Sequence, residues 1–186
     1  NFYVQTVCAS LGSTTALTVS QAGSFSGILG KSLSPFLPRY SVSNEKNISS
    51  NTETIILGLK LRYELNNFVI NNELFLNILS VATDGNRAVK IKLVRNPSTL
   101  GDGTSSDFHN YVYVDENLST ALYDSTVDTY TGGSIISEFT IGKSGNIILD
   151  LSEQSLILER GDIFLFTAES AASNQVDISI NWIEDI

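Results

Sequence analysis

The sequence predicts an all-β protein, and within that class an antiparallel β-sandwich of the jelly-roll type. Apolar and polar residues alternate with period two in several segments, as from Val176 to Trp182, which is typical of strands with one buried face. About ten such segments follow one another, separated by short polar turns. They do not alternate with segments of helical period, so a parallel α/β fold is not favoured.

The amino-terminal part, residues 1–53, predicts short strands at 2–9 and 15–19 and an extended segment rich in Ser and Gly. Its polar stretch 43–52, which contains several Asn residues, predicts an exposed loop. We expect 54–186 to form the sandwich, with residues 1–53 packed on it or linking to it. A single domain that covers the whole chain is the alternative.

The middle of the chain begins with a predicted strand at 54–64, whose apolar face comprises Ile55, Leu57, Leu59, Leu61 and Tyr63. Segments 73–81 and 88–95 also have β character. Between them, Asp84-Gly85-Asn86 predicts the turn of a hairpin.

Asn96-Pro97 ends the last of these strands, and the stretch 98–106 predicts a loop. A strand is expected again at 108–114. After it, 115–123 favours a short helical turn or an irregular connection equally, because Leu118 and Leu122 are spaced four residues apart.

The carboxy-terminal part predicts four strands, at 134–141, 145–151, 162–168 and 175–183. In the third of these, Ile163 to Phe166 is apolar on both faces. Such a strand belongs in the middle of a sandwich or against a neighbouring subunit.

Charge and cysteine content restrict the classes of function. The net charge is −9, with 11 Lys and Arg residues among 186, which argues against binding to nucleic acid through phosphates. The single cysteine, Cys8, excludes an intrachain disulfide and predicts a small buried side chain. Apolar runs are too short for membrane insertion. The first residue is Asn1 and no signal peptide precedes it, so we expect a processed form or a fragment.

Residues that could carry catalysis are few. His109 is the only histidine, and one histidine among many serines does not define a triad. The acidic pairs Asp124 with Asp128 and Glu184 with Asp185 could suggest a glycosidase, but a polar loop and a chain end favour solvated charges. We therefore predict no catalytic residue and no cofactor.

The loop 101–107 offers Asp102, Asp107 and several hydroxyl groups, which are oxygen ligands that Ca²⁺ accepts. Its spacing departs from that of an EF-hand loop, and the interpretation as a plain loop is favoured. We predict no metal site.

Tyrosines in the middle of the chain are the candidate ligand-binding residues. Tyr111, Tyr113 and Tyr130 lie close together in sequence, and their rings could stack on sugars.

Two short stretches near the carboxy terminus carry a resemblance. Leu156–Ala168, in which Gly161-Asp162 precedes an apolar strand, resembles the penultimate region of trimeric jelly rolls of the complement and tumour-necrosis-factor types. Val176–Asp185 resembles the endings of tailed-bacteriophage virion proteins such as head fibres, decoration proteins and tail components. The resemblance covers about the last third of the chain and supplies no catalytic residues; the long Ser- and Gly-rich amino-terminal half departs from complement-type domains.

This resemblance implies a trimeric protein of the virion surface. We expect a non-enzymatic capsid decoration protein, head fibre, tail fibre or baseplate component that serves assembly or host attachment. Its partners would be two further copies of itself, other virion proteins and a host cell-surface glycan. Phe164, Phe166 and Trp182 are the predicted oligomer interface. The alternative function is an extracellular carbohydrate-binding module of an adhesin or secreted enzyme, and the third is an enzyme such as a depolymerase.

Overall fold

The chain folds into strands that follow one another with hardly any other regular structure. A computed structural model describes residues 38–65, 68–69, 72–101, 112–154 and 156–185. The strands in these ranges are β1 (Arg39–Ile48), β2 (Thr54–Leu61), β3 (Glu64–Leu65), β4 (Phe68–Val69), β5 (Glu73–Asp84), β6 (Val89–Arg95), β7 (Thr99–Gly101), β8 (Val112–Tyr113), β9 (Ala121–Asp124), β10 (Thr129–Thr131), β11 (Ser134–Ile141), β12 (Asn146–Asp150), β13 (Ile157–Leu158), β14 (Ile163–Ser170) and β15 (Asn174–Asp185). One 3₁₀ turn, Ser152–Gln154, lies between β12 and β13.

Two antiparallel sheets pack face to face. Sheet A has the strand order β1-β15-β5-β12, and β13 also pairs with β5. Sheet B has the order β11-β6-β14-β2-β9-β8. The prediction of an all-β antiparallel sandwich is confirmed. The four carboxy-terminal strands correspond to β11, β12, β14 and β15.

The core lies between the two sheets. Sheet B contributes, among others, Leu59, Leu61, Val89, Ile91, Leu93, Phe164 and Phe166, and sheet A contributes Leu74, Leu76, Leu79, Val81, Val176, Ile178, Ile180 and Trp182. Phe164 is 1% exposed, Phe166 0% and Trp182 1%. The proposal that these three residues form an oligomer interface is therefore corrected. Their side chains fill the core of one chain and offer no surface to a neighbouring subunit.

A second apolar cluster covers the outer face of sheet B. Leu165 of β14 and Val94 of β6 are paired across the two strands and point away from the main core. The small β7–β10 ribbon lies over them, and Leu100 and Val127 complete the cluster with Ile55. The run Ile163 to Phe166 is thus apolar on both faces because both faces are covered within the same chain.

The connection after β5 differs from the predicted hairpin. β5 belongs to sheet A and β6 to sheet B, so the turn at Gly85 carries the chain from one sheet to the other. A Cβ atom at Gly85 would clash with the side chain of Asn174 at the start of β15, which shows how closely this turn packs against sheet A. Both strands have period two, and polar turn residues follow β5. The sequence pattern alone therefore does not distinguish a hairpin within one sheet from a turn that crosses between two sheets.

β1 replaces the exposed loop expected at 43–52 as far as Ile48, and only residues 49–52 form the predicted exposed turn. The strand pairs with β15 along its full length, from Arg39 opposite Ile183 to Ile48 opposite Asn174. The sandwich therefore begins before Thr54, inside the segment expected to be an extension. Residues 1–37, which include the predicted strands at 2–9 and 15–19 and Cys8, lie outside the described residues.

Two inward-facing polar side chains of β1 explain why such a polar segment can be a strand. Asn44 Nδ2 donates to the carbonyl of Ile56 at 2.7 Å, and Lys46 Nζ donates to the carbonyl of Ile55 at 2.9 Å. β9 pairs with β2 only from Gly58 onward, so these two carbonyls lie beyond the paired stretch on that side. Buried carbonyl groups need donors, and the side chains from the opposite sheet supply them.

No helix in the described part of the chain is long and apolar enough to cross a bilayer.

Candidate ligand-binding site

A cleft in the described part of the chain lies at the end of sheet B where β8 and β9 form its edge. It has a volume of about 540 Å³ and is lined by Arg62, Tyr63, Glu64, Tyr113, Glu116, Asn117 and Leu122. We call it the tyrosine cleft. Leu122 of β9 is 7% exposed and belongs to the buried surface beneath, whereas Glu64 and Glu116 are exposed.

Two tyrosine rings are the exposed apolar surface of this cleft. Tyr63 is 56% exposed and Tyr113 is 49% exposed. The guanidinium carbon of Arg62 lies 5.1 Å from the ring centroid of Tyr113, and that of Arg160 lies 5.4 Å from the ring centroid of Tyr63. A cation held over an aromatic face is attracted by the ring quadrupole, so each arginine restrains the ring that it covers.

The turn between β8 and β9 forms one wall of the cleft. Arg62 Nη2 donates to the carbonyls of Glu116 at 2.9 Å and Ser119 at 2.6 Å. Within the turn, Asp115 Oδ1 accepts from the backbone amides of Asn117 and Leu118, both at 2.9 Å. A carboxylate that accepts from the amides two and three residues later in the chain stabilises a compact turn. Of the two structures left open for 115–123, a single turn is observed at 115–119, where the Ser119 amide donates to the Asp115 carbonyl at 3.2 Å, and β9 follows from Ala121. Leu122 therefore lies on a strand and not on a helical face with Leu118.

Glu184 anchors the same turn from inside the sandwich. Its side chain is 0% exposed. Oε1 accepts from Ser119 Oγ at 2.6 Å and from Trp182 Nε1 at 2.9 Å, and Oε2 accepts from the amide and hydroxyl of Thr120 at 2.8 and 3.0 Å. Four donors around one carboxylate compensate for much of the cost of burying its charge. The carboxylate thus fixes the base of the turn that carries Glu116 and Asn117.

A second cleft, of about 520 Å³, lies on the outer face of sheet B beside the β7–β10 ribbon. It is lined by Glu53, Val94, Asp128, Thr129, Tyr130, Thr131, Gly132, Gly133 and Ile135. Glu53 Oε1 accepts from the Tyr130 hydroxyl at 2.8 Å and from Thr167 Oγ1 at 2.5 Å, and Lys92 Nζ donates to Oε2 at 2.9 Å. The polar groups of Glu53 and Tyr130 are therefore already engaged with each other.

The pKa values of this group of residues follow from these contacts. Burial opposes ionisation of Glu53, but the hydrogen bonds from Lys92, Thr167 and Tyr130 outweigh it and hold the pKa of Glu53 below its ordinary value. Burial, together with the hydrogen bond to Glu53 and its negative charge, raises the pKa of Tyr130 to about 12. Glu53 is a permanent carboxylate at neutral pH, and Tyr130 is a neutral donor to it.

Two of the three tyrosines predicted to bind a ligand lie in the described residues, and they line different clefts. Tyr113 lines the tyrosine cleft and Tyr130 lines the second cleft. Tyr111 lies outside the described residues. Tyr63, which alternation placed on the inner face of its strand, was missed because β2 ends at Leu61 and the alternation ends with it.

Each predicted acidic pair has one buried and one exposed member. Asp124 is 0% exposed, and its Oδ1 accepts from the amide and hydroxyl of Thr126, both at 2.6 Å. Asp128 and Asp185 are exposed, whereas Glu184 is buried. The expectation of solvated charges is therefore wrong for Asp124 and Glu184.

Near Asp124, Lys46 Nζ is within 3.4 Å of the carbonyls of Ser125 and Val127 in addition to that of Ile55. Burial lowers the pKa of Lys46, although the charges of Asp128 and Asp124 oppose this shift. The arrangement holds one partly buried ammonium group on three carbonyls and ties β1 to β2 and to the loop after β9. Its role is structural.

Within the described ranges, no three His, Cys, Asp or Glu residues come together as metal ligands. His109 and the greater part of the loop 101–107 lie outside those ranges. A comparison with protein-family models found no match for this chain, and a comparison with curated proteins found no significant one.

Proposed function

We propose that this chain is a non-enzymatic structural protein of a tailed-bacteriophage virion that attaches the particle surface to a partner. The observation that supports an attachment role is the distribution of exposed apolar side chains. Four of the seven large exposed ones in the described part of the chain lie at the tyrosine cleft or beside it: Tyr63 and Tyr113 line it, Leu118 lies on the turn that forms its wall, and Val69 is paired with the lining residue Glu64. Apolar side chains gathered at one place on a surface are typical of interaction sites.

The order of the strands supports a jelly-roll sandwich for this role. Eight strands make up the two sheets apart from short additions: β1, β2, β5, β6, β11, β12, β14 and β15. When they are numbered one to eight along the chain, sheet A has the order 1-8-3-6 and sheet B the order 5-4-7-2. Consecutive strands thus mostly alternate between the sheets, as in the two nested Greek keys of a jelly roll. Viral capsid proteins and lectins both use this architecture.

The homotrimer that the phage resemblance implies remains part of this proposal, together with a position at the particle surface as a decoration, fibre or baseplate component. Since the aromatic side chains first assigned to the trimer contact are in the core, that contact must use other surfaces. Size-exclusion chromatography with light scattering tests it directly. A monomer at micromolar concentration would remove the trimer from the proposal.

The virion assignment is tested on particles concentrated from the source material. Antibodies raised against residues 38–186 should decorate the surface of intact tailed particles in electron microscopy, and the protein should be found in their purified proteome. Unlabelled particles that lack the protein would contradict the assignment.

The alternative is an extracellular carbohydrate-binding module, and the two exposed rings of the tyrosine cleft favour it specifically. Such a module would bind polysaccharide without being part of a particle. The same antibody experiment separates the two functions, since a module of a secreted enzyme or adhesin would leave the particles unlabelled.

A further inference from the structure

We infer, on the basis of the attachment function proposed above, that the tyrosine cleft binds a neutral saccharide. One pyranose ring would stack on Tyr113 or Tyr63, and its hydroxyl groups would be bound by Glu64, Glu116 and Arg62. The cleft combines flat exposed rings with charged planar groups that accept and donate hydrogen bonds. A sugar needs this combination, because its ring carries apolar C–H groups and its hydroxyls both donate and accept.

The charges around the cleft favour a neutral ligand. Two negative side chains, Glu64 and Glu116, line the cleft. Two positive ones are also present, since Arg62 lines the cleft and Arg160 lies over Tyr63. An anionic ligand would approach the two carboxylates, and a cationic one would approach the two guanidinium groups, so either would meet like charge at short range. A polyhydroxylated ligand without charge can use both kinds of group as hydrogen-bond partners.

The size of the cleft favours a small ligand over a protein surface. Its volume of about 540 Å³ falls within the range of roughly 300–1,000 Å³ that is usual for small-molecule sites. A stable protein partner would need on the order of 800 Å² on each side. The cleft is the concave part of the surface on which the exposed apolar side chains lie, and a saccharide unit fits a concave site of this size.

The walls of the cleft are held in place before any ligand arrives. Glu184 fixes Ser119 and Thr120 from inside, Asp115 closes the turn, and Arg62 holds two carbonyls of that turn. A preformed site loses little conformational freedom when it binds, which matters for weakly binding ligands such as sugars.

Binding is measured on the full chain with two probes. The first is an array of bacterial surface polysaccharides and lipopolysaccharide oligosaccharides, and the second is a set of soluble neutral mono- and disaccharides in saturation-transfer NMR. We expect the wild type to bind at least one neutral saccharide. Tyr113→Ala should lower the affinity about tenfold through loss of the ring, whereas Tyr113→Phe should keep most of it.

Val112→Ala is the matched control. Val112 is the neighbour of Tyr113 on β8 and is 46% exposed, but it does not line the cleft. Adjacent residues of a strand point to opposite faces, so this substitution should leave saccharide affinity unchanged. Circular dichroism and thermal unfolding of each variant confirm that it is folded.

Two results would overturn the saccharide site. One is that the folded wild type binds no neutral saccharide in either format. The other is binding that survives Tyr63→Ala and Tyr113→Ala. Decorated particles together with absent saccharide binding would refute the site and leave the virion function standing. Saccharide binding together with unlabelled particles would refute the virion function and leave the site.

Discussion

At the scale of single residues, the carboxylate of Glu184 is the clearest link between sequence, stability and the candidate site. Alternation along β15 places Val176, Ile178, Ile180 and Trp182 inward, and Glu184 has the same parity. A solvated charge was nevertheless expected at Glu184, because the residue lies near the end of the sequence and beyond the predicted strand, and that expectation is wrong. The four donors to Glu184 come from the next inward residue, Trp182, and from the turn at Ser119 and Thr120, which no local pattern identifies.

Replacing Glu184 by Ala leaves those four donors without an acceptor in the core. We expect the free energy of unfolding to fall by roughly 3–5 kcal/mol, measured by urea denaturation. Asp185→Ala, one residue further along on the exposed side, should change it by less than about 0.5 kcal/mol. If the loss of stability for Glu184→Ala were as small as that for Asp185→Ala, the four donors would have found other acceptors.

Tyr130 gives a prediction for alkaline pH. Its pKa is raised from 10.0 to about 12, so the neutral phenol that donates to Glu53 contributes stability fully below pH 10. This contribution is lost as the pH rises through about 12. We expect the stability difference between wild type and Tyr130→Phe to be constant from neutral pH to pH 10 and to shrink above it. A difference that does not depend on pH over this interval would contradict the assigned hydrogen bond.

At the scale of elements, the sequence predicts a strand where apolar and polar residues alternate between turn residues. It does not predict which strands pair with one another in a sheet. β15 follows directly from alternation, and β14 from an apolar run that is preceded by a polar turn. The membership of β5 and β6 in different sheets does not, since period two is the same in both sheets. β1 was missed because its inward face carries Asn44 and Lys46, whose acceptors lie on β2 and are visible only in three dimensions.

The turn into β11 gives a prediction about the backbone. Gly133 has φ +89°, and a Cβ there would lie 2.8 Å from Val94 Cγ1 and 3.1 Å from the carbonyl of Arg95. Gly133→Ala should therefore lower the free energy of unfolding by roughly 1–3 kcal/mol. At Gly142 a Cβ would meet nothing within 4 Å, so Gly142→Ala should be neutral or stabilise by up to about 1 kcal/mol. Thermal unfolding of both variants in parallel measures the contrast.

At the scale of the whole molecule, the sequence predicted the fold class and left two explanations for the apolar residues on both faces of β14, the middle of a sandwich or a neighbouring subunit. The first is observed, since β14 lies inside sheet B and both of its faces are covered within the chain. The β7–β10 ribbon covers the outer face, through Leu100 and Val127 packed on Leu165. The ribbon strands are only three residues each, too short for a detectable period.

Phe166 tests whether these aromatic residues belong to the core or to an interface. Phe166→Ala should lower the free energy of unfolding by about 3–5 kcal/mol, because the ring fills the space between the sheets. The stoichiometry measured by light scattering should remain that of the wild type. Ile148→Ala, at a position 70% exposed on sheet A, serves as the control and should leave stability nearly unchanged. A folded Phe166→Ala protein with fewer subunits would restore the interface assignment.

The position of β15 has a consequence for biosynthesis. In the described part of the chain β1 pairs only with β15, although more than a hundred residues separate them, as from Ile48 to Asn174. On the ribosome, the β1 segment of the nascent chain therefore has no strand to pair with until translation has passed residue 174. Pairing between such distant segments is slow, and the waiting strand is open to association with other nascent chains. Ser41, Ser43 and Glu45 form the exposed outer face of β1. We expect these polar side chains to keep the segment hydrated while synthesis is completed.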